Sequence, residues 1–523
     1  MNEQKATGSY YTPYELVDFM VDYLKNEQQD FRNVLEPAAG DGRFITKLLS
    51  VAEKIDAVEL DKNKTDELKN KYEDTKVNVF HNDFLEYIVA ASTKYSLIIG
   101  NPPYINVKNL EEQSLKKAKD LCIQVGFKAC VMQNMWVAFV IGACRLLEQY
   151  GAVFYVLPME FLQVQYAEKL RGYLENSFNT IHIICFEEII FKDIEQDICL
   201  VYLTNKKQNS KYIIYKQYKN EKDRKPLNIN RIQKNKPLQK WSNAILMDEE
   251  LTLLKTNTTQ FTSISEIGEI APGVVTGGNK YFILSEEKVK EYQCEGMVLP
   301  IIQKSSFIGK NTVEIDDELM KKLISQGKAV YLLNLAKEEK KLPDKLREYL
   351  EWAGEQKTDD IKLKERFKCA NRSPWYGVPI VRKGEVVFFK RYDVLPRVYI
   401  NSIYAHTTDA GYHIRVKEGY DAESLVFCFY NSMTLAECEY YGRYYGGGVR
   451  ELVPSEFKRL TIPYKKISKE DIQEFKKLFK DGAPAQKIIS FVNGKILSEK
   501  MTAQEIQQFE NIRLKLIKRR NRE

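Results

Sequence analysis

Asn33-Val34-Leu35-Glu36-Pro37-Ala38-Ala39-Gly40-Asp41-Gly42-Arg43-Phe44 runs from a short apolar strand, through a turn of small residues, into the helical pattern Phe44-Ile45-Thr46-Lys47-Leu48-Leu49. Strand, glycine turn and helix in that order form the first βα unit of a nucleotide-binding α/β sheet. The turn is not the dinucleotide fingerprint G-x-G-x-x-G. It carries Glu36 and Asp41, and acids in this place repel a pyrophosphate while suiting a ligand that bears positive charge.

The next elements repeat the theme. Ile55-Asp56-Ala57-Val58-Glu59-Leu60-Asp61 is a second strand ending in acids, and Glu59 stands about 20 residues past the glycine turn, where such folds hold ribose hydroxyls. A third strand, Val77-Asn78-Val79-Phe80, leads to Asn82-Asp83-Phe84. Asp83 can accept from an adenine amine with Phe84 packed beside it, and it equally reads as a helix cap. The apolar run Tyr95–Gly100 is the fourth strand, and Asn101-Pro102-Pro103-Tyr104 follows it directly. Two prolines fix two φ angles, remove two donors and leave a stiff extended turn with free carbonyls. An amide before it and an aromatic ring after it suit a planar amino group: two acceptors for its protons and a π-face for its ring. Each candidate falls at the carboxyl end of a successive strand, where open α/β sheets bind ligands.

This ordered series resembles the gamma class of DNA adenine-N6 methyltransferases of type II restriction–modification systems. The likeness begins at Thr7-Gly8-Ser9-Tyr10-Tyr11-Thr12-Pro13 and the helix Tyr14–Met20, and reaches about residue 205 through Asn134–Phe139, the strand Gly151–Pro158, Glu187–Lys192 and the strand Asp197–Leu203. It implies a Rossmann-like α/β domain with a mostly parallel seven-stranded sheet that binds S-adenosyl-L-methionine, followed by a mixed α/β target-recognition domain. It implies cofactor contacts from Tyr11, Thr12, Pro13, Glu36, Pro37, Ala38, Gly40, Glu59, Leu60, Asp83, Phe84, Asn101 and Phe139. It implies catalysis by Asn101, Pro102, Pro103 and Tyr104, with Phe191 as a second ring against an extruded base; Phe191 also reads as a core phenylalanine.

The implied chemistry needs no covalent intermediate. Acceptance of both amino protons by Asn101 and Pro102 localises the nitrogen lone pair, which then attacks a sulfonium methyl in line. The target must leave the helix stack first. Three other readings stay open: another target such as RNA adenine or a protein amide, cytosine-N4 methylation, and an inactive DNA-binding specificity protein.

The 523 residues are 44% hydrophobic and carry a net charge of +7. That charge is unevenly spread: residues 1–205 hold 21 Lys+Arg against 30 Asp+Glu, leaving 58 against 42 for the rest. A basic second half fits contact with double-stranded DNA. The organisation expected is a catalytic domain with linker over 1–240, a target-recognition domain over 241–465 and a helical segment over 466–523. Arg391, Arg443 and Arg450 are the DNA contacts expected in the recognition domain, Arg450 beside Gly446-Gly447-Gly448. Lys108–Gln133 reads as a flap over a DNA cleft or as surface decoration.

Nine cysteines without a C-x-x-C pair, and no signal peptide or long apolar span, point to buried thiols in a cytoplasmic protein. His406 and His413 can lie near each other, but no metal site is expected. The chain is expected to act as a monomer away from membranes, with any restriction endonuclease on a separate chain.

Overall fold

The computed structural model describes residues 11–191, 197–206, 212–234, 240–258, 260–335, 342–358, 360–444 and 449–521. Residues Thr7 to Tyr10, Lys192 and the glycines Gly446, Gly447 and Gly448 lie outside them. The chain divides into two units, one running through Glu249 and the other from Glu250 to Tyr444 and on through 449–520.

The first unit is organised by one sheet. Its strands are β1 (Asn33–Glu36), β2 (Lys54–Glu59), β3 (Val77–His81), β4 (Tyr95–Gly100), β5 (Leu147–Pro158), β6 (Thr180–Phe186), β7 (Ile198–Thr204), β8 (Tyr212–Tyr218) and β9 (Asn228–Gln233). They lie in the order 3-2-1-4-5-7-6-8-9. Strands β1 to β5 are mutually parallel, and β7 is inserted antiparallel between β5 and β6. Every residue of β4 and β7 is buried, as unbroken apolar runs require of strands covered on both faces. The sheet thus has the seven expected strands up to Thr204 and two more. Residues 206–240, expected as a linker with a two-strand look around Tyr212–Tyr215, add β8 parallel to β6 and β9 antiparallel to β8.

Helix α1 (Tyr14–Asn26) starts directly after Pro13, whose carbonyl accepts from the Leu16 and Val17 amides at 3.1 Å. Leu16, Val17, Met20 and Leu24 recur at helical spacing and are buried in the core that also holds Phe154 and Tyr202. Helix α2 (Arg43–Leu48) follows the glycine turn, α3 (Lys62–Lys71) follows β2, and α4 (Phe84–Ala90) follows β3. Buried Asp56 accepts from the Tyr95 hydroxyl at 2.9 Å and the Asn78 amide at 2.8 Å, so both of its oxygens are satisfied.

The second unit contains a five-stranded sheet ordered Gly268–Pro272, Gly411–Val416, Val386–Phe389, Val398–Asn401, Glu314–Ile315. A four-stranded sheet includes Val298–Ile302 beside His406–Thr407. The expected C-terminal helices are present as Lys469–Lys480, Ala485–Ile496 and Ala503–Asn521, and they cluster with this unit. His406 and His413 do meet, with ring centroids 6.1 Å apart, and both are buried. Most cysteines are buried, although Cys130 is exposed.

Candidate active site

Strands β1 to β4 run in one direction, and the segment after each faces a single cavity of about 700 Å³. From β1 come Glu36, Pro37, Ala38, Gly40 and Asp41; from β2, Glu59, Leu60 and Asp61; from β3, Asn82, Asp83 and Phe84; from β4, Asn101, Pro103 and Ile105. Tyr11, Thr12, Met135 and Phe139 close it from other elements.

Local bonding holds the acids in place. Gly40 takes φ +58°, a left-handed value that favours glycine. Its amide donates to Glu59 Oε2 at 2.8 Å, and the Asp61 amide donates to Glu59 Oε1 at 2.9 Å. Asp83 accepts from the Leu85 amide at 2.9 Å, so it caps α4 and lines the cavity at once. Phe84 and Phe139 pack with centroids 4.7 Å apart. Glu36 is 2% exposed, and its Oε2 has no hydrogen-bond partner. Burial, then the charges of Asp41 and Glu59, push its carboxyl well above the ordinary range. Arg43 pairs with Asp41 at 2.8 Å and donates to the Thr12 carbonyl at 2.9 Å, tying the start of α1 to the cavity floor.

Asn101 and Pro103 line the cavity; Pro102 is buried, and Tyr104 packs against the core cluster that also contains Phe191. The Tyr104 hydroxyl donates to the Val156 carbonyl at 3.1 Å, which fixes the plane of its ring.

One wall was not foreseen. Asn109, Leu110, Glu111 and Ser114 also line the cavity, from the segment that had read as a flap or decoration. Its helix α5 (Glu112–Gln124) brings Lys117 to 4.0 Å from Asp83 and into contact with Glu86. The segment is closed at its neck, where the Val107 amide donates to Gln133 and the Met135 amide, at the start of α6 (Met135–Leu146), donates to Ile105. The sequence signal for this wall is weak, because neither helical period nor charge says which way a loop folds back.

The expected DNA contacts of the second unit separate. Arg450 is 3% exposed, donating to Glu439 at 2.7 and 2.9 Å and to the Gly442 carbonyl. A guanidinium so buried and paired is a structural tie, which corrects its reading as a DNA contact. Arg443 is likewise drawn inward to Glu456 at 2.9 Å. Arg391 keeps 66% of its side chain exposed while pairing with Glu451 at 3.3 Å.

Known proteins resemble this chain. Residues 27–191 match the model of the Eco57I restriction-modification methylase, and residues 238–497 match that of the C-terminal domain of the type II methyltransferase M.Eco57I. The type II methyltransferase M.AccI of Acinetobacter calcoaceticus is 25% identical, over 96% of this chain and 94% of its own length. The chain belongs to the type II restriction–modification methyltransferases. M.HincII of Haemophilus influenzae is 27% identical to this methyltransferase over 36% of the chain and 35% of its own length. The fold of the type IIL enzyme MmeI, solved with DNA, superposes with a TM-score of 0.61 at 12% identity, covering 99% of this methyltransferase and 80% of that chain. DrdV, in a DNA complex, follows at 0.51 and 13% identity, covering 91% of this chain and 58% of that one.

Proposed function

We propose that this methyltransferase modifies adenine at N6 in double-stranded DNA, using S-adenosyl-L-methionine as donor. The observation that carries the reading is that Asn101 and Pro103 share a cavity with Glu36, Glu59 and Asp83. The cavity fits the donor in size, being of the order expected for a cofactor site, about 300–1,000 Å³. It also fits in charge. Six acids line it against Arg43 and Lys64, and the buried Glu36 Oε2 is an acceptor awaiting a donor such as the methionyl ammonium. Glu59 holds the ribose hydroxyls, Asp83 the adenine amine, and Leu60, Phe84 and Phe139 pack on the adenine ring. Tyr11, Thr12 and Pro13, with Pro37, Ala38 and Gly40, enclose the methionine end.

When bound, the sulfonium supplies an electrophilic methyl carbon and a neutral thioether leaving group. The chain's residues prepare the other reactant. Asn101 Oδ1 and the Pro102 carbonyl accept the two protons of the amino group, and the nitrogen lone pair becomes available for the new N–C bond as the S–C bond breaks. One amino proton then leaves to solvent, so charge balances. Tyr104 stacks on the extruded base, with Phe191 from the same cluster as the second ring, worth about 1–3 kcal/mol per stack. Arg391 contributes a phosphate contact.

The test is transfer of labelled methyl from the donor to unmethylated plasmid DNA, followed by nucleoside analysis. Label in N6-methyladenine, lost in Asn101→Ala, is the expected result. Label in N4-methylcytosine, or in RNA alone, would overturn the proposed target.

A further inference from the structure

The second unit has a cleft of about 350 Å³ that no role above absorbs. One side is the turn after the strand Gly268–Pro272; the other is the short helix Phe367–Ala370 and the chain beyond it. The two sides are locked together. Arg372 donates to the Thr276 and Val275 carbonyls at 2.7 Å, and Arg366 donates to the Gly277 carbonyl at 3.2 Å. The turn cannot relax on its far side either: a Cβ on Gly273 would come within 2.1 Å of the Thr408 carbonyl oxygen.

On this rigid rim Phe367 is 76% exposed and Val275 39% exposed. Pro272, Pro379 and Val381 add further apolar surface to the cleft lining. A large ring left in water beside a fixed apolar cleft marks an unfilled contact surface. Charge says what fills it. Between Lys362 and Lys383 seven cations accompany a single acid, Glu365. Lys362 and Lys364 are engaged by Glu355, but among the described residues Lys368 and Arg372 have no acidic partner. The Lys368 ammonium lies 5.6 Å from the centroid of the Phe367 ring, so the cation and the aromatic face sit side by side. A polyanion with flat rings and sugars between its charges is complementary to that pair.

We propose that this cleft is a DNA-docking surface of the recognition unit, in which Lys368 meets a backbone phosphate and Phe367 packs against the adjoining sugar or base edge. The inference rests on the reading of the chain as a DNA methyltransferase and assigns the contact to residues that the arginines of 443–450 had seemed to supply.

Phe367→Ala and Lys368→Glu, both exposed positions, test it in the full chain. A short fluorescein-labelled duplex cut from the unmethylated plasmid is titrated at several salt concentrations, and donor binding is measured separately. Expected is a loss of duplex affinity of about 5- to 100-fold in each variant, a shallower salt dependence in Lys368→Glu, and unchanged donor affinity. Wild-type duplex affinity in both variants overturns the proposal, as does a change in self-association in place of DNA binding. If the wild-type chain itself neither binds the duplex nor methylates the plasmid, the functional reading fails first and this one with it.

Discussion

The Gly40 amide points at the Glu59 carboxylate, 2.8 Å away, and so ties the turn after β1 to the end of β2. With the Asp61 amide on the other oxygen, the carboxylate is oriented before any ligand arrives. Glu59→Gln places an amide NH₂ against one of these two N–H groups. Its expected effect is a drop in donor affinity of about 10-fold or more, since a charged hydrogen bond contributes roughly 1.5–3 kcal/mol. Titration calorimetry with S-adenosylmethionine reads it; undiminished affinity would remove Glu59 from the site.

Tyr104 separates ring from hydroxyl. Its OH serves the Val156 carbonyl, and its ring is the proposed stacking face for the base. Tyr104→Phe should lose about 1 kcal/mol of stability while methylation continues, and Tyr104→Ala should lose methylation as well. Thermal melts beside methyl-transfer rates separate the two contributions.

Lys117 pins α5 to Asp83 and Glu86 with 29% of its side chain exposed. Pairs this open to solvent contribute little and are screened by salt. Lys117→Met is therefore expected to weaken donor binding by about 2- to 5-fold at low salt. Raising the salt should bring wild type and variant together. An equal gap at all salt concentrations would show that packing, not charge, holds the wall.

Stability of the second unit should depend on pH from both sides. Burial, with Lys383 nearby, holds His406 and His413 down to about 4. Between pH 6.5 and about 4 the unfolded chain binds more protons at these rings, so acid destabilises by about 1.4 kcal/mol per pH unit per ring. Burial raises Glu437 to about 8 while it accepts from Thr461. There the folded chain binds more protons between pH 4.5 and about 8, so stability falls as pH rises. Two rings outweigh one carboxyl below pH 6.5, and only the carboxyl acts above it. Urea midpoints across this range should peak near pH 6.5, and Glu437→Gln should flatten the alkaline limb.

Glu36, Glu59 and Asp83 were legible because each closes or follows a short apolar strand and is marked by the polar turn that ends the run. Glu36, Glu59, Asp83 and Asn101 follow from that alone. Phe139 came only through the family likeness. The wall at Asn109–Ser114 was illegible, since the chain leaves the sheet and returns without a periodic signal. The strand Tyr212–Tyr218 was visible in the apolar stretch Tyr212–Tyr215, whereas the polar alternation of Asn228–Gln233 reads as a link until a neighbouring strand covers one face. Arg443 and Arg450 misled for a different reason: a cation's sign is visible in sequence, but its partner is not. Glu456 and Glu439 reach them only through tertiary folding.

The backbone bonds that join Ile105 to Met135 and Val107 to Gln133 make the excursion between them a side branch with a sealed base. Its root is held by main-chain bonds, while Ala118, Leu121 and Cys122 bury one face of its helix. The excursion therefore leaves and rejoins the body at one fixed point, so the asparagine at the strand end and the wall opposite it share a single anchor.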